Sequence, residues 1–372
     1  MTASILFLIG AAFLLYVLFG YPVLLAVRAR LFSRPVRRAQ VAKTVSVLLA
    51  VKNGQKFLRA KLESIFALDY PRELLQVLVI SDGSDDRTDA IAAEFADVVL
   101  IRVPAKGKAL ALNAGIARST GELLFFTDVR QPLATDSLRQ LVSCFSDPQV
   151  GVASGELIIL DGKTHGEASV GLYWRYEKWI RNRLSQIDSV MGATGCIYTM
   201  RRELAVVLPA GTLVDDMYLP LAAFFRGYRV IFDSSAKAFD YPTPLDAEFR
   251  RKVRTLAGVY QIIGAYPQLL GPGNRMWIDF VSHKLGRLLL PYACLLMASS
   301  SLWLPEPWRT VALAGQGLFY ALALIDAWLP EGFVWKRLTS PIRTFVVLMA
   351  AAFCAGSILF LPHDYFWKVP KR

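Results

Sequence analysis

The alternation of apolar and polar stretches divides the 372-residue chain into two apolar ends and a mixed middle. Residues 1–27 contain no charged side chain, and their length suffices to cross a hydrocarbon core, which needs about 20 apolar residues. Three further apolar runs lie near the other end, at 288–304, 311–329 and 345–361. The pattern therefore predicts one N-terminal and three C-terminal membrane segments, the last of which either crosses the membrane or re-enters it.

Between about residues 44 and 244, short apolar runs alternate with stretches of helical spacing. Such runs indicate strands that are largely apolar on both faces, and their alternation with helices indicates a parallel sheet covered on both sides. The middle of the chain is therefore predicted to be an α/β domain with a doubly wound, mostly parallel sheet. The predicted strands are VSVLLAV (45–51), LQVLVIS (75–81), DVVLIRV (97–103) and LLFFTD (123–128).

The net charge of +12 changes the picture because of where the basic residues lie. A basic cluster follows the first apolar run, whereas a cleaved signal peptide would carry its basic residues before the run. The positive-inside bias places the N-terminus outside and the middle of the chain in the cytoplasm. Anionic membrane lipids, and not nucleic acid, are the expected partners of these charges. The cluster comprises Arg28, Arg30, Arg34, Arg37, Arg38 and Lys43.

The connections between the C-terminal runs are consistent with this topology. The short turn Pro305-Glu306-Pro307 would lie outside, and Lys336, Arg337 and Arg343 would lie inside. The tail is ambiguous, because it would lie outside after a full crossing and inside after a re-entrant segment. The four cysteines show no paired spacing, so neither a disulfide framework nor a zinc site is indicated. The basic residues of the tail are Lys368, Lys371 and Arg372.

Polar residues follow three of the predicted strands, at the edge where open parallel sheets bind ligands. Lys52-Asn53-Gly54 follows the first strand, Asp82 to Asp86 follows the second, and Asp128-Val129-Arg130-Gln131 follows the fourth. Asp82 and Asp128 come directly after buried strands and are candidate site residues. Ser84, Asp85 and Asp86 suit a ligand site and an ordinary turn with a helix cap equally well.

The chain resembles family 2 glycosyltransferases with the GT-A fold, of the membrane-embedded kind that includes cellulose, hyaluronan and poly-N-acetylglucosamine synthases. The resemblance covers residues 45–261, and the flanking apolar segments match the family's layout. It implies an inverting hexosyltransferase that uses a nucleotide sugar, with UDP as the expected nucleotide. Seven fragments carry it in the family's order: VSVLLAVKNG, VLVISDGSDDRT, GKALALNAG, ELLFFTDVRQ, GATGCIY, VDDMYLP and RRKVRT.

The resemblance assigns donor binding to residues after the strands. Asn53 and Asp82 match positions that hold the base and ribose, and Lys108 lies in the matching GKALALNAG fragment. Asp128 matches the first acid of an Asp-x-Asp motif that holds Mg²⁺ or Mn²⁺, and Arg130 stands where the second acid is expected. Arg130 either neutralises the donor diphosphate or forms a salt bridge elsewhere while Asp128 and phosphate hold the ion. Retained but weaker metal binding is the favoured interpretation.

The resemblance also assigns the chemistry of transfer. Asp216 matches the general base, with Asp215 as its neighbour, although Asp215 also suits a helix N-cap. Arg254 matches an arginine that holds the leaving diphosphate in processive members. Arg251 and Thr255 replace the glutamine and tryptophan of that motif, and the missing ring weakens the case for processive synthesis. Arg251 is assigned to donor binding.

These interpretations give a domain order. The segments are an N-terminal transmembrane helix (1–27), a basic cytoplasmic linker (28–43), the GT-A domain (44–254), interfacial helices (255–287), three transmembrane or re-entrant helices (288–362) and a basic tail (363–372). Within the GT-A domain, residues 171–184 mix aromatic and basic side chains, as in a helix at the membrane interface or lining the acceptor cleft.

Three functions remain open at this point. The first is extension of a polysaccharide or glycan at the cytoplasmic face of the inner (plasma) membrane, with the C-terminal segments and an unidentified export partner offering an exit. The second is transfer of one sugar to a lipid carrier, either a polyprenyl phosphate or a glycolipid. The third is an inactive scaffold or export subunit, which the replacements at Arg130 and Thr255 suggest.

Overall fold

The computed structural model describes residues 1–160, 165–241, 245–330 and 332–366. The predicted basic tail residues Lys368, Lys371 and Arg372 lie outside this range. The chain forms two compact units. The sheet unit comprises 31–160 and 181–241, and the helical unit comprises 1–30, 165–180 and the described residues from 245 onward.

A seven-stranded sheet forms the centre of the sheet unit, with the order β3-β2-β1-β4-β6-β5-β7. In the described part of the chain, only β6 runs antiparallel to its neighbours. The predicted mostly parallel sheet is therefore confirmed. The strands are β1 Val45–Val51, β2 Leu75–Asp82, β3 Val98–Val103, β4 Leu123–Thr127, β5 Val150–Ile159, β6 Ile197–Arg201 and β7 Arg229–Asp240.

Helices flank the sheet and make up most of the helical unit. Two π-helical turns interrupt longer helices, Tyr16–Gly20 between α1 and α2 and Phe280–Leu285 between α10 and α11. The α-helices are α1 Thr2–Leu15, α2 Tyr21–Leu31, α3 Leu58–Phe66, α4 Thr88–Ala93, α5 Lys108–Arg118, α6 Ser137–Ser143, α7 His165–Ile187, α8 Asp215–Phe225, α9 Leu245–Ala265, α10 Trp277–Asp279, α11 Gly286–Ser301, α12 Trp308–Ile325 and α13 Lys336–Ala355.

The core of the sheet unit follows from the apolar strands. Every side chain of β4 is buried, and α3 buries Leu58, Leu62 and Ile65, which recur on one face of the helix. Full burial of such a side chain contributes about 1.5–3 kcal/mol. Helix α5 packs closely on the sheet, because a Cβ at Gly115 would lie 2.8 Å from Cδ1 of Ile80.

The sheet topology brings distant segments to one edge. The carboxyl ends of the parallel strands β1, β2 and β4 lie at this edge, as does the start of the reversed strand β6, since Thr127 pairs with Ile197. Strand β7 is parallel to β5 and ends at Asp240. The turns that follow β1, β2 and β4 and the loop that precedes β6 therefore share one end of the sheet.

Three helices in the described chain have the length and composition of membrane spans: Thr2–Leu31, Trp308–Ile325 and Lys336–Leu359. The predicted segment at 288–304 corresponds to α11, which has 16 residues and is not one of the three. Helix α11 packs tightly on α1, because a Cβ at Gly10 would lie 2.6 Å from Cγ of Met297. Helix α9 runs without interruption from 245 to 265, so no structural boundary falls at the predicted position 254.

The basic linker after α2 has no regular secondary structure, but ion pairs fix it. Within the sheet unit, Arg34 pairs with Asp188 at 3.1 Å, and Arg38 pairs with Asp233 at 2.8 Å. Lys43 Nζ lies 2.7 Å from Glu122. Several of the charges predicted to face lipid therefore bind acids of the protein.

Candidate active site

Asp82 fixes the start of α5. Asp82 is buried at the end of β2, and its Oδ1 accepts a hydrogen bond of 2.9 Å from the backbone N–H of Lys106. Its Oδ2 accepts one of 3.1 Å from the N–H of Gly107. Gly107 has φ +93°, a conformation that favours glycine, and α5 begins at the next residue, Lys108. The Asp82 carboxylate, predicted to bind the donor, thus also positions Lys108.

Lys108 joins two of the predicted site acids. Its Nζ lies 3.0 Å from Oδ1 of Asp128, just after β4, and 3.3 Å from Oδ1 of Asp215, in α8. Burial acts to lower the pKa of Lys108, but the nearby carboxylates of Asp128, Asp215 and Asp216 outweigh it and raise the pKa well above its ordinary value. Lys108 is therefore a permanent cation between acids from distant parts of the chain.

The acidic pair Asp215 and Asp216 forms the first turn of α8. Val214 occupies the N-cap position, so the alternative role of Asp215 as an N-cap is not observed. Asp215 is buried and Asp216 is partly exposed. A helix N-terminus favours both carboxylates, because its free N–H groups carry partial positive charge. The more exposed Asp216 is the better placed of the two to meet a substrate.

The loop before β6, the Gly192–Cys196 loop, packs directly on Asp216. The backbone carbonyl of Asp216 accepts a hydrogen bond of 2.7 Å from Ala193, and a Cβ at Gly195 would lie 3.0 Å from Oδ2 of Asp216. Arg181 supports this loop by donating to Oγ1 of Thr194 at 2.8 Å and to the carbonyl of Gly192 at 3.2 Å. In the predicted interfacial stretch 171–184, the Arg181 side chain therefore faces the loop next to Asp216. The side chains of residues 171–174 of this stretch, including Trp174, lie outside the described range.

Arg130 forms a salt bridge, one of the two alternatives left open by the sequence. Its Nη2 donates to Oδ2 of Asp240, the buried last residue of β7. The same oxygen accepts a hydrogen bond of 2.9 Å from Nε2 of Gln131. The turn after Asp128 is thereby tied to β7, and much of the charge of Arg130 is balanced by Asp240.

Two other candidate residues, Asn53 and Arg251, contact residues other than Lys108 and the acids around it. Oδ1 of Asn53, which has φ +52°, accepts a hydrogen bond of 3.0 Å from Asp85 N–H, and Ser84 and Asp86 accept from the turn after β1. These contacts join the turns after β1 and β2. In the helical unit, Arg251 pairs with Glu248 of its own helix at 2.7 Å, and Arg254 lies on the same helix.

A divalent cation has one suitable carboxylate at the predicted position. No group of three or more His, Cys, Asp or Glu side chains that would hold a metal occurs among the residues described. Asp128 is 37% exposed, and Mg²⁺ commonly binds one or two carboxylates together with substrate phosphates. Asp128 therefore fits a metal shared with a nucleotide, and Arg130 does not supply the second acid.

Three buried residues near the site escaped the sequence analysis. Lys61 and Asp240 both contact the Asp128–Gln131 turn, and Tyr198 stacks on Phe126 with ring centroids 4.5 Å apart. Burial raises the pKa of Tyr198, and the charges of Asp215 and nearby carboxylates add to this effect. Only Lys61 left a signal in the sequence, as a lone lysine on the apolar face of a predicted helix.

Comparison with known proteins shows to which family the chain is similar. Residues 46–207 match the family model described as Glycosyl transferase family 2. The chain is 26% identical over 347 residues to an N-acetylglucosaminyltransferase of Rhizobium meliloti (strain 1021), covering 86% of the chain and 80% of that protein. It is 30% identical over 270 residues to a beta-monoglucosyldiacylglycerol synthase of Trichormus variabilis, covering 68% and 57%. The match to the probable glycosyltransferase YdaM of Bacillus subtilis spans only 56% of that protein.

A solved structure has the same fold along nearly the whole chain. The mannosyltransferase PcManGT of Pyrobaculum calidifontis, in complex with GDP-Man and Mn²⁺, superposes with a TM-score of 0.75 and 22% identity. The match covers 95% of this chain and 99% of that one. The predicted GT-A fold and the predicted relationship to family 2 glycosyltransferases are both confirmed.

Proposed function

Since this chain is a glycosyltransferase that carries a family 2 domain, we propose that it transfers a hexose with inversion from a nucleotide sugar, expected to be a UDP-sugar. One observation carries the proposal. Lys108 lies between Asp128 and Asp215, at the edge of the sheet where such folds bind ligands. Acids from two distant parts of the chain and a fixed cation from a third thus meet at one place, as activation of a leaving group and a nucleophile requires.

The leaving diphosphate needs positive charge nearby, because its own negative charge grows as its bond to the sugar breaks. A divalent cation, held by Asp128 and the donor phosphates, would supply such charge as Mg²⁺ or Mn²⁺. Lys108, held against Asp128, adds a second cation at the same place. Arg130 shares its charge with Asp240 and holds the turn, so its contribution to the diphosphate is secondary.

The acceptor hydroxyl needs a general base, and Asp216 is assigned to this role. Asp215 is buried and its carboxylate is occupied by the ion pair with Lys108, whereas Asp216 is partly exposed beside the Gly192–Cys196 loop. Asp216 takes the hydroxyl proton while the oxygen attacks the anomeric carbon from the face opposite the diphosphate. One carbon–oxygen bond forms as the other breaks, and the configuration inverts. Such assistance contributes about 10²–10⁴ in rate.

The acceptor is proposed to be a growing glycan or polysaccharide. One relative, matched over 86% of this chain and 80% of its own length, is an N-acetylglucosaminyltransferase. A lipid acceptor is the second candidate, because a relative at 30% identity is a beta-monoglucosyldiacylglycerol synthase and Thr255 offers no stacking ring for a sugar chain. A scaffold without activity is disfavoured, because the site acids and Lys108 are assembled.

The membrane placement is part of the same proposal. Basic residues after the first span favour a catalytic domain at the cytoplasmic face of the inner membrane, in contact with anionic lipids. Exposed tryptophans lie close to the ends of the C-terminal helices, as is usual at membrane interfaces. They are Trp303, Trp308, Trp328 and Trp335.

A donor screen tests the proposal. The full chain in lipid nanodiscs is incubated with UDP-sugars and GDP-mannose, with Mn²⁺, with Mg²⁺ or with EDTA, and released nucleotide is followed. We expect release that depends on one sugar, on metal and on Asp216. A ladder of polar products would identify glycan extension, and a single organic-soluble product would identify a lipid acceptor. Absence of release with every donor would refute the proposal.

A further inference from the structure

Lys61 occupies a position where the helix periodicity requires an apolar side chain. It lies on the same face of α3 as Leu58, Leu62 and Ile65, and it is only 2% exposed. Lysine is almost never buried to this extent unless its charge is paired. The position therefore carries a stability cost that a leucine or methionine would avoid.

Among the described residues, the ammonium group of Lys61 has a single direct hydrogen-bond partner. Its Nζ donates to the backbone carbonyl of Gln131, and no carboxylate of the described chain lies within 4.0 Å of it. Burial lowers the pKa of Lys61 to about 8, against a smaller raising effect of Cys196 and Asp128. Because one carbonyl compensates a buried charge poorly, packing alone gives no reason for a lysine here.

The partner of Lys61 lies in the turn that carries the predicted donor-binding residues. Gln131 ends the turn that begins at Asp128, and its side chain donates to Asp240 at 2.9 Å. The main chain of the turn is therefore held by Lys61 of α3. The turn's side chains Arg130 and Gln131 are held by Asp240 of β7. Any shift of this turn would move Asp128 relative to Lys108, which contacts it at 3.0 Å.

We propose that Lys61 is a positioning residue, whose ammonium holds the Asp128–Gln131 turn in the conformation that binds the diphosphate of the donor. The inference rests on the proposed function and adds a residue to it. It explains why a charge is kept on an apolar helix face at the expense of stability. Lys61 touches neither substrate nor metal in this account and acts only through the turn.

The substitution Lys61→Met separates positioning from ordinary packing, because methionine keeps the apolar stem and removes the charge. We expect the variant, as the full chain in nanodiscs, to melt at or above the temperature of the wild type. Its affinity for UDP with Mn²⁺, measured by titration calorimetry, should fall about tenfold or more, since a charge-assisted hydrogen bond is lost. Lys56→Met, at an exposed position before α3, is the matched control and should match the wild type in both measurements.

Each result decides the proposal. A Lys61→Met variant that binds UDP as tightly as the wild type overturns it. So does a variant that fails to fold or melts well below the wild type, because Lys61 would then be part of the packing. Failure of the wild type itself to bind UDP or GDP would instead refute the proposed function, and the inference would fall with it.

Discussion

Lys108 is central to the charge balance of the site, because it interacts electrostatically with the carboxylates of Asp128, Asp215 and Asp216. In Lys108→Met, Asp128 and Asp215 would face each other without a cation between them. Since Lys108 and Asp128 are partly screened by solvent, we expect a loss of about 1–3 kcal/mol in the free energy of unfolding. Transfer should fall by about 10²-fold or more. Denaturant unfolding and initial rates measure the two effects, and the exposed neighbour Lys106→Met is the control. Unchanged transfer would show that Lys108 has no part in the chemistry.

Asp216→Asn removes the proposed base while preserving the shape of the side chain. We expect the variant to melt like the wild type and its rate of transfer to fall by about 10²–10⁴-fold. Donor binding should be retained, because the amide still packs on the Gly192–Cys196 loop. Calorimetry with UDP and a fixed-time transfer assay measure both quantities. Turnover close to that of the wild type would remove Asp216 from the mechanism.

The lowered pKa of Lys61 predicts how the stability of the fold depends on pH. Its pKa is about 8 in the folded protein and ordinarily 10.5, so between these values the unfolded chain binds more protons. The destabilising effect of the buried charge is therefore fully present below pH 8 and is lost as the pH rises towards 10.5. The wild type should gain up to about 3 kcal/mol over this window relative to Lys61→Met. Parallel melting curves of the two proteins from pH 7 to 10 would contradict this.

At the scale of single elements, the loop between Gly192 and Cys196 connects the sheet edge to α8. A Cβ at Gly195 would lie 3.0 Å from Oδ2 of Asp216, tighter than an ordinary contact. We expect Gly195→Ala to displace the Asp216 carboxylate and to lower the transfer rate about tenfold or more. The melting temperature should change little, because the contact is at the edge of the core. Gly227→Ala, at a positive φ with open space around it, is a contrasting variant that should lower stability and not transfer.

The first four strands were predictable because each is apolar on both faces. Strands β5 and β7 were not predicted, since their polar residues interrupt the pattern. Asp233 and Asp240 can be buried in β7 because polar partners bind them, among them Arg38 and Arg130. The reversed direction of β6 depends on tertiary pairing, and no local signal in the sequence encodes it.

The sequence also predicted part of the candidate site. Spacing after the strands and the family resemblance predicted Asp82, Asp128 and Asp216 as site residues, and the sheet unit brings their segments to one edge. The partner of Arg130 is Asp240, which lies 110 positions further along the chain. Contacts at this separation are set by the order of strands in the sheet, so sequence spacing gave no indication of Asp240 or of the bond from Lys61 to Gln131.

At the scale of the whole molecule, apolar composition predicted the helices at both ends of the chain. The structure gives three helices with the length and composition of spans, and it places the predicted segment at 288–304 in a 16-residue helix packed on α1. Membrane crossing by this fourth segment therefore stays a prediction.

The account as a whole depends on one shared site at the carboxyl edge of the sheet. Its most direct test is an experimental structure of the full chain in nanodiscs with UDP and Mn²⁺. We predict density for the diphosphate within hydrogen-bonding distance of Lys108, with Mn²⁺ bound to Asp128 and to phosphate oxygens. Nucleotide bound away from Asp128 and Lys108 would contradict the account.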